Sequence, residues 1–256
     1  MTLATPTIQP LFRYFGSKWT LSKYYPEPEY DTIVEPFAGS AGYSIRYHDR
    51  NIILVEKDPI VYGIWNWLIG TTEEEIRALP LIIPGEKIPD SVQGPARDFM
   101  GFWCTITGAK PQYKLVPSAK SIPASFWNPL VRERTAKALK YIRHWKVING
   151  NYDSVPDIGY ATWFVDPPYQ PPKDRKTSQN YPAGIPDFDK LATYLKTVPK
   201  GQVIVCENSG ADWLPFEPFR VGHSAPRKQR ISQGKGCTTE EVMAMWRNYV
   251  ETQDKM

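Results

Sequence analysis

Short apolar runs of strand length recur along the chain, each closed by a polar, acidic or glycine-containing turn. Thr32-Ile33-Val34 is the first, and helical spacing follows from Tyr43 to about His48. Asn51 to Val55 is the second, followed by an aromatic-rich helical stretch from Pro59 to Leu68. Lys146-Val147-Ile148-Asn149 predicts a short strand, Tyr160 to Val165 a central one, Gln202 to Cys206 another, and Glu241 to Trp246 a last one. Helical patterns also occupy Leu21 to Tyr25, the basic stretch Ala136 to Trp145, and Phe188 to Leu195. Strands that alternate with helices in this way predict an α/β sheet of the Rossmann-like kind.

The alternation breaks between Gly70 and about Leu139. Thr72-Glu73-Glu74-Glu75 opens a charged helix there, and a proline-punctuated stretch follows. Arg97, Lys110, Lys114, Lys120, Arg132 and Arg134 are interleaved with Phe99, Phe102, Trp103, Tyr113, Phe126 and Trp127. Basic residues among aromatics are the composition of a nucleic-acid surface, and equally of a satellite domain with a small aromatic core.

Composition narrows the partners. The 256 residues are 41% hydrophobic, enough for a sizeable core, and the net charge of +4 is compatible with a polyanion. Cys104, Cys206 and Cys237 lie far apart with no Cys-x-x-Cys spacing, which argues against a zinc site or a disulfide framework and fits a reducing compartment. No signal peptide and no membrane-length apolar run is visible, so a cytoplasmic protein without a membrane or metal partner is expected.

Three stretches carry candidate chemistry. Asp166-Pro167-Pro168-Tyr169 ends the central strand, because neither proline has an N–H for the ladder. It leaves a carboxylate, a fixed carbonyl and an aromatic ring at the carboxyl end of the strand, where ligands sit in open α/β sheets. Two adjacent acceptors suit the two N–H donors of an exocyclic amino group, and the ring can stack on the base that carries it. The plain alternative is a turn that only stops a strand. Glu35-Pro36-Phe37-Ala38-Gly39-Ser40-Ala41-Gly42 is a strand-to-helix glycine turn without GxGxxG spacing, and Gly39 and Gly42 would let the backbone approach a ligand. Its acidic start suits a positively charged one. Glu56, closing the second strand, stands where an acid commonly bonds the ribose hydroxyls of an adenosine. Before these, Gly16-Ser17 precedes a helical pattern and can leave backbone N–H groups free for an anion.

In this order the motifs resemble those of the Dam-type DNA adenine-N6 methyltransferases, the α-group of amino-methyltransferases. Arg13-Tyr14-Phe15-Gly16-Ser17-Lys18 is similar to the family's N-terminal KWAGGK, and Glu35 to Gly42 to its EPFxGxGS-like loop. Glu56 stands where the family has its acidic ribose ligand, and Asp166-Pro167-Pro168-Tyr169 matches the catalytic motif. Phe188 to Ala192, Glu207-Asn208 and Ile231-Ser232 fall where later motifs fall. Arg13 and Ser17 depart from the family's lysine and glycine.

The resemblance implies S-adenosylmethionine as methyl donor, held by Tyr14, Gly16, Lys18, Glu35, Pro36, Phe37, Gly39, Gly42, Glu56 and Asp166. It implies an adenine flipped out of double-stranded DNA onto Tyr169, with Asp166, Pro167, Pro168 and Tyr169 as the catalytic set. The resemblance covers 1–68 and 146–256, which it implies form one catalytic, cofactor-binding domain, and the inserted region 69–145 would be the target-recognition region. Candidate nucleic-acid contacts are Arg97, Lys110, Lys114, Lys120, Arg132 and Arg134 within it, Lys173, Arg175 and Lys176 after the turn, and Arg227, Lys228 and Arg230 near the end. The setting implied is the cytoplasm of a bacterial or phage-infected cell, with or without a restriction partner. Rival readings are a cytosine-N4 or RNA amino-methyltransferase, a nicotinamide oxidoreductase using the glycine turn, and an inactive nucleic-acid binder.

Overall fold

The structure is a computed structural model that describes residues 7–105, 108–120, 126–171, 181–223 and 238–248. Seven strands among them form one sheet: β1 (Thr32–Glu35), β2 (Asn51–Glu56), β3 (Lys146–Asn149), β4 (Tyr160–Val165), β5 (Lys200–Asn208), β6 (Glu217–His223) and β7 (Thr238–Asn248). Their order is β3-β2-β1-β4-β5-β7-β6. The first five pair in parallel, and β7 runs antiparallel to both β5 and β6. This is the 3-2-1-4-5 run of a Rossmann-like sheet, extended by a reversed hairpin in place of a simple sixth strand.

Parallel strands are covered on both faces, so their residues alternate between two cores. Ile33, Phe164, Ile204 and Cys206 face one core, whereas Val34, Trp163, Val165, Val203 and Val205 face the other. Helix α1 (Pro59–Gly70) covers the first with Val61, Ile64, Trp65 and Leu68. It starts at Asp58, whose carboxylate accepts the Ile60 N–H at 2.8 Å, and Pro59 occupies the first turn, where its missing N–H costs nothing. Helix α5 (Phe188–Thr197) covers the second core with Leu191, Ala192 and Leu195.

The segment between α1 and β3 adds α2 (Glu73–Ala78), α3 (Gly94–Trp103) and α4 (Pro129–Ala138). The Thr72–Glu75 capping box opens α2, as its sequence predicts. Phe99, Phe102, Trp103, Phe126 and Trp127 are buried in the first core, continuous with Phe12, Trp65 and Trp145. Burying an aromatic side chain contributes on the order of 1.5–3 kcal/mol, so this segment is fastened to the sheet.

Three predicted helices differ. From Tyr43 to His48 the chain makes successive turns, with Arg46 N–H bonded to Tyr43 O and Tyr47 N–H to Ser44 O. A helix would send the Ser44 N–H to Ser40 O, but the Glu35 carboxylate takes it at 2.6 Å. Leu21 to Tyr25 is likewise a set of turns on Lys18 O. The basic helix expected at Ala136 to Trp145 lies earlier, because Asn128 caps it by accepting the N–H groups of Leu130 and Val131. It ends at Ala138 and tightens into a 3₁₀ turn, Leu139–Tyr141. The final strand is longer than Glu241 to Trp246 and starts at Thr238.

Candidate active site

Because β1, β2, β4 and β5 are parallel, their carboxyl ends share one edge of the sheet. Each ends in, or leads directly into, an acid: Glu35, Glu56, Asp166 and Glu207. The reversed β7 brings a fifth, Glu241, which pairs with Asn208 at the same edge. A cleft opens there.

Tyr14, Gly16, Lys18, Glu35, Pro36, Phe37, Gly39, Gly42, Glu56 and Asp166 all line this cleft. Pro168 lines it as well, whereas Pro167 is buried beneath the turn. The cleft also takes Tyr181, together with Lys57, Asn151, Tyr152 and the segment Ala183 to Pro186, which the sequence pattern did not place in the site. Tyr152 follows β3 in a 3₁₀ turn and packs its ring 5.8 Å from Phe37. Residues 172–180 of the polar stretch after Gln170 lie outside the described residues.

The glycine turn is stitched in place from several sides. Glu56 accepts the Gly39 N–H at 3.0 Å and the Asp58 N–H at 2.8 Å. Trp65 donates to Gly39 O at 2.7 Å, and Ser40 donates to the Ser17 hydroxyl at 2.8 Å. Gly39 and Ala41 both have positive φ, a conformation costly for the alanine. A side chain at Gly42 would place its Cβ 2.6 Å from the Trp19 nitrogen, so only glycine lets the arm carrying Lys18 lie on the turn.

Burial dominates the electrostatics. It pushes the Glu35 carboxyl up to about 8 and Glu56 up to about 7, although backbone N–H bonds favour the charged forms. Burial raises Asp166 too, opposed by Lys18. The Lys18 ammonium lies 2.8 Å from Asp166 Oδ1 and 3.7 Å from Glu241 Oε1. Burial alone would lower the lysine, but Asp166 and then further anionic neighbours outweigh it and hold it above its ordinary value.

Tyr169 stands behind the cleft. Its ring lies under the Lys18 ammonium, 4.8 Å from nitrogen to ring centre, and its hydroxyl donates to Glu241 Oε1 at 3.1 Å. Tyr25 donates to the same oxygen. After Tyr169, the Gln170 N–H is held by buried Glu207, which also accepts the Asn208 N–H and the Trp213 indole N–H. Glu207 was findable by the rule that picked Glu56, an acid closing a parallel strand. Glu241 was not, because nothing in the apolar run it opens reveals that β7 is reversed.

The candidate nucleic-acid residues divide. Arg97 donates to the carbonyls of Ile88, Pro89 and Val92, Arg132 to Leu79 O, and Arg134 to Gln9 while lying over Trp103. These guanidiniums are engaged within the fold. Lys110, Lys114 and Lys120 are exposed. Lys173, Arg175, Lys176, Arg227, Lys228 and Arg230 lie outside the described residues, as do Ile231-Ser232 and Cys237.

Among the described residues no group of His, Cys, Asp or Glu is arranged to hold a metal ion, and no helix is long and apolar enough to cross a membrane. No family model and no curated protein matches the chain. Among solved structures, a conserved hypothetical protein of Streptococcus pyogenes is similar at a TM-score of 0.33 and 11% identity, over 90% of this chain and 91% of that one. At that level of likeness the site is read from its own geometry.

Proposed function

We propose that this chain is an S-adenosylmethionine-dependent methyltransferase that acts on the exocyclic N6 amino group of a flipped adenine in double-stranded DNA. The observation that carries this reading is the continuity of one cleft from Glu56, at the end of β2, to Asp166, at the end of β4. A nucleoside-bearing cofactor and an amino group to be modified could meet within it.

The residues fit the cofactor. Three acids and two lysines, Glu35, Glu56, Asp166, Lys18 and Lys57, line the cleft among the described residues. These side chains offer both donors and acceptors to a ligand that carries an ammonium, a carboxylate and a sulfonium. Glu56 keeps lone pairs beyond those used by Gly39 and Asp58, and would accept ribose hydroxyls at the end flanked by Phe37 and Tyr152. The Gly39 turn and Lys18 would border the amino-acid part. When bound, S-adenosylmethionine supplies an activated methyl group on a good leaving group.

Asp166 and the Pro167 carbonyl do the rest. An aromatic amine is a poor nucleophile because its lone pair is delocalised into the ring. Two acceptors on its N–H groups favour a pyramidal nitrogen and free that pair. Positive charge developing on the nitrogen is stabilised by the same carboxylate, already fixed in place. Alignment in the cleft lowers the remaining barrier. The exposed lysines 110, 114 and 120 and the positive net charge support a polyanionic substrate.

Incubation with tritium-labelled cofactor and unmethylated DNA, followed by chromatography of the hydrolysed bases, tests the reading. Label in N6-methyladenine is expected, reduced about a hundred- to a thousandfold in Asp166→Ala. Label in N4-methylcytosine, or on RNA alone, would move the reading to that substrate. No transfer to any nucleic acid would overturn it.

A further inference from the structure

Lys18 stands where the proposed reaction needs the substrate's nitrogen. Its ammonium is a nitrogen bearing N–H donors, on the Asp166 carboxylate and beside the Tyr169 ring. A flipped base would present its amino group in the same relationship. Ammonium and amino group are both donors there and compete for one acceptor.

A second acceptor lies close by. Glu241 Oε1 is 3.7 Å from the ammonium, and a movement of roughly one ångström would bring it to hydrogen-bond length. Glu241 itself is pinned, because the hydroxyls of Tyr25 and Tyr169 both donate to that oxygen. Lys18 has a flexible four-carbon stem and is the partner able to move. Both side chains are nearly sealed from solvent, at 9% and 10% exposure. A lysine that left Asp166 without another carboxylate would be a buried unpaired charge, which is strongly disfavoured.

We infer that Glu241 is a positioning residue: it takes the Lys18 ammonium when the target's amino group takes Asp166, so that one carboxylate is released for the substrate without stranding the lysine. The identity of the amine rests on the methyl-transfer reading above, whereas the exchange of partners does not. The inference also gives Tyr169 a second task, since its hydroxyl holds the acceptor while its ring faces the ammonium.

Two measurements test it. In a crystal structure of the Asp166→Ala variant, Lys18 Nζ is expected within about 3 Å of Glu241. An ammonium that stays apart from Glu241 there, or turns to water, overturns the inference. In single-turnover methyl transfer, Glu241→Gln is expected to slow the step by roughly tenfold or more. The Lys18→Met, Glu241→Gln double variant should be no slower than Lys18→Met alone, because no ammonium remains to be housed. Losses that multiply would assign Glu241 a structural role only and overturn the exchange. If the wild-type chain transfers no methyl group, the functional reading fails and the crystal structure decides the exchange by itself. The same holds if Glu241→Gln does not fold.

Discussion

Glu207 accepts the backbone N–H of Gln170 at 2.6 Å, tying the end of β5 to the residue that follows the Asp166 to Tyr169 turn. The turn thus has an anchor outside its own strand. Glu207→Ala would leave the Gln170, Asn208 and Trp213 N–H groups without their acceptor in a buried place. A loss of about 1–3 kcal/mol in urea unfolding is expected. Glu207→Gln, which keeps an acceptor, should recover part of it. An alanine variant as stable as the parent would show that the clamp contributes nothing.

Stability should fall as pH rises from about 5 to about 8. Burial holds the Glu35 carboxyl at about 8 in the folded chain, against 4.5 as its ordinary value. Between these values the folded state binds the proton and the unfolded state does not. The stability so gained is complete below 4.5 and is lost as pH rises through about 8. Glu56 and Glu207 act in the same direction up to about 7. Glu35→Gln has no proton to lose and should flatten the decline in the urea midpoint. A decline of unchanged steepness would mean that Glu35 is already ionised when folded.

Glu56→Ala should weaken S-adenosylmethionine by about 1–3 kcal/mol, the cost of leaving polar donors unpaired. Part of that would come through the Gly39 turn, which loses the bond from its own N–H. Glu56→Gln keeps an acceptor for the turn but loses the charge, so the two variants separate the contributions. Calorimetry showing the parental affinity in both would remove Glu56 from the site.

Tyr169 has a ring and a hydroxyl with different partners. As a stacking platform it needs only the ring, and Tyr169→Ala should cost roughly 1–3 kcal/mol of base binding. The loss should shrink when the target adenine is in a mismatch, since less unpairing energy is needed. The hydroxyl is not idle, however, because it donates to Glu241. Tyr169→Phe should therefore lower stability by about 1 kcal/mol and slow methyl transfer modestly. An alanine variant with no mismatch relief would place Tyr169 among structural residues alone.

DNA affinity should fall steeply with salt. Replacing Lys110, Lys114 and Lys120 together by alanine should reduce the log–log slope by roughly 0.9 for each phosphate left without its lysine. Arg132→Ala should instead lower the melting temperature and leave the slope in place, since its guanidinium serves Leu79 O. An unchanged slope in the lysine variant would direct attention to the basic stretch after Tyr169.

The parallel strands β1, β2, β4 and β5 and the residues that close them were legible because burial on both faces forces continuous apolar runs, and an acid stands at or beside the end of each. The cleft followed, since parallel strands put their ends together. Local helices were less legible. Ser44 looks helical by spacing, and only the tertiary bond from Glu35 shows why the ladder fails there. The aromatic and basic interleaving between Gly70 and Leu139 also concealed its outcome. Composition does not say which way a side chain points: Phe99, Phe102, Trp103, Phe126 and Trp127 went inward and Tyr113 stayed exposed, while Arg97 and Arg132 bonded to carbonyls and Arg134 to Gln9.

The reversed β7 has a consequence in time as well as in space. Lys18 is made near the start of synthesis, and one of its two carboxylates near the end, with Tyr25 and Glu241 separated by 216 positions. A chain still on the ribosome can lay down β1, β2 and β4 with the Asp166 turn before residue 241 exists. Until β7 docks, Lys18 has Asp166 and the Gly16 carbonyl but no second carboxylate, and the turn lacks the anchor on the Tyr169 hydroxyl. Contacts this distant in sequence form late. On the reading proposed above, the growing protein would carry the Asp166 carboxylate in a lysine-blocked state, and the last strand to arrive would be the one that permits release.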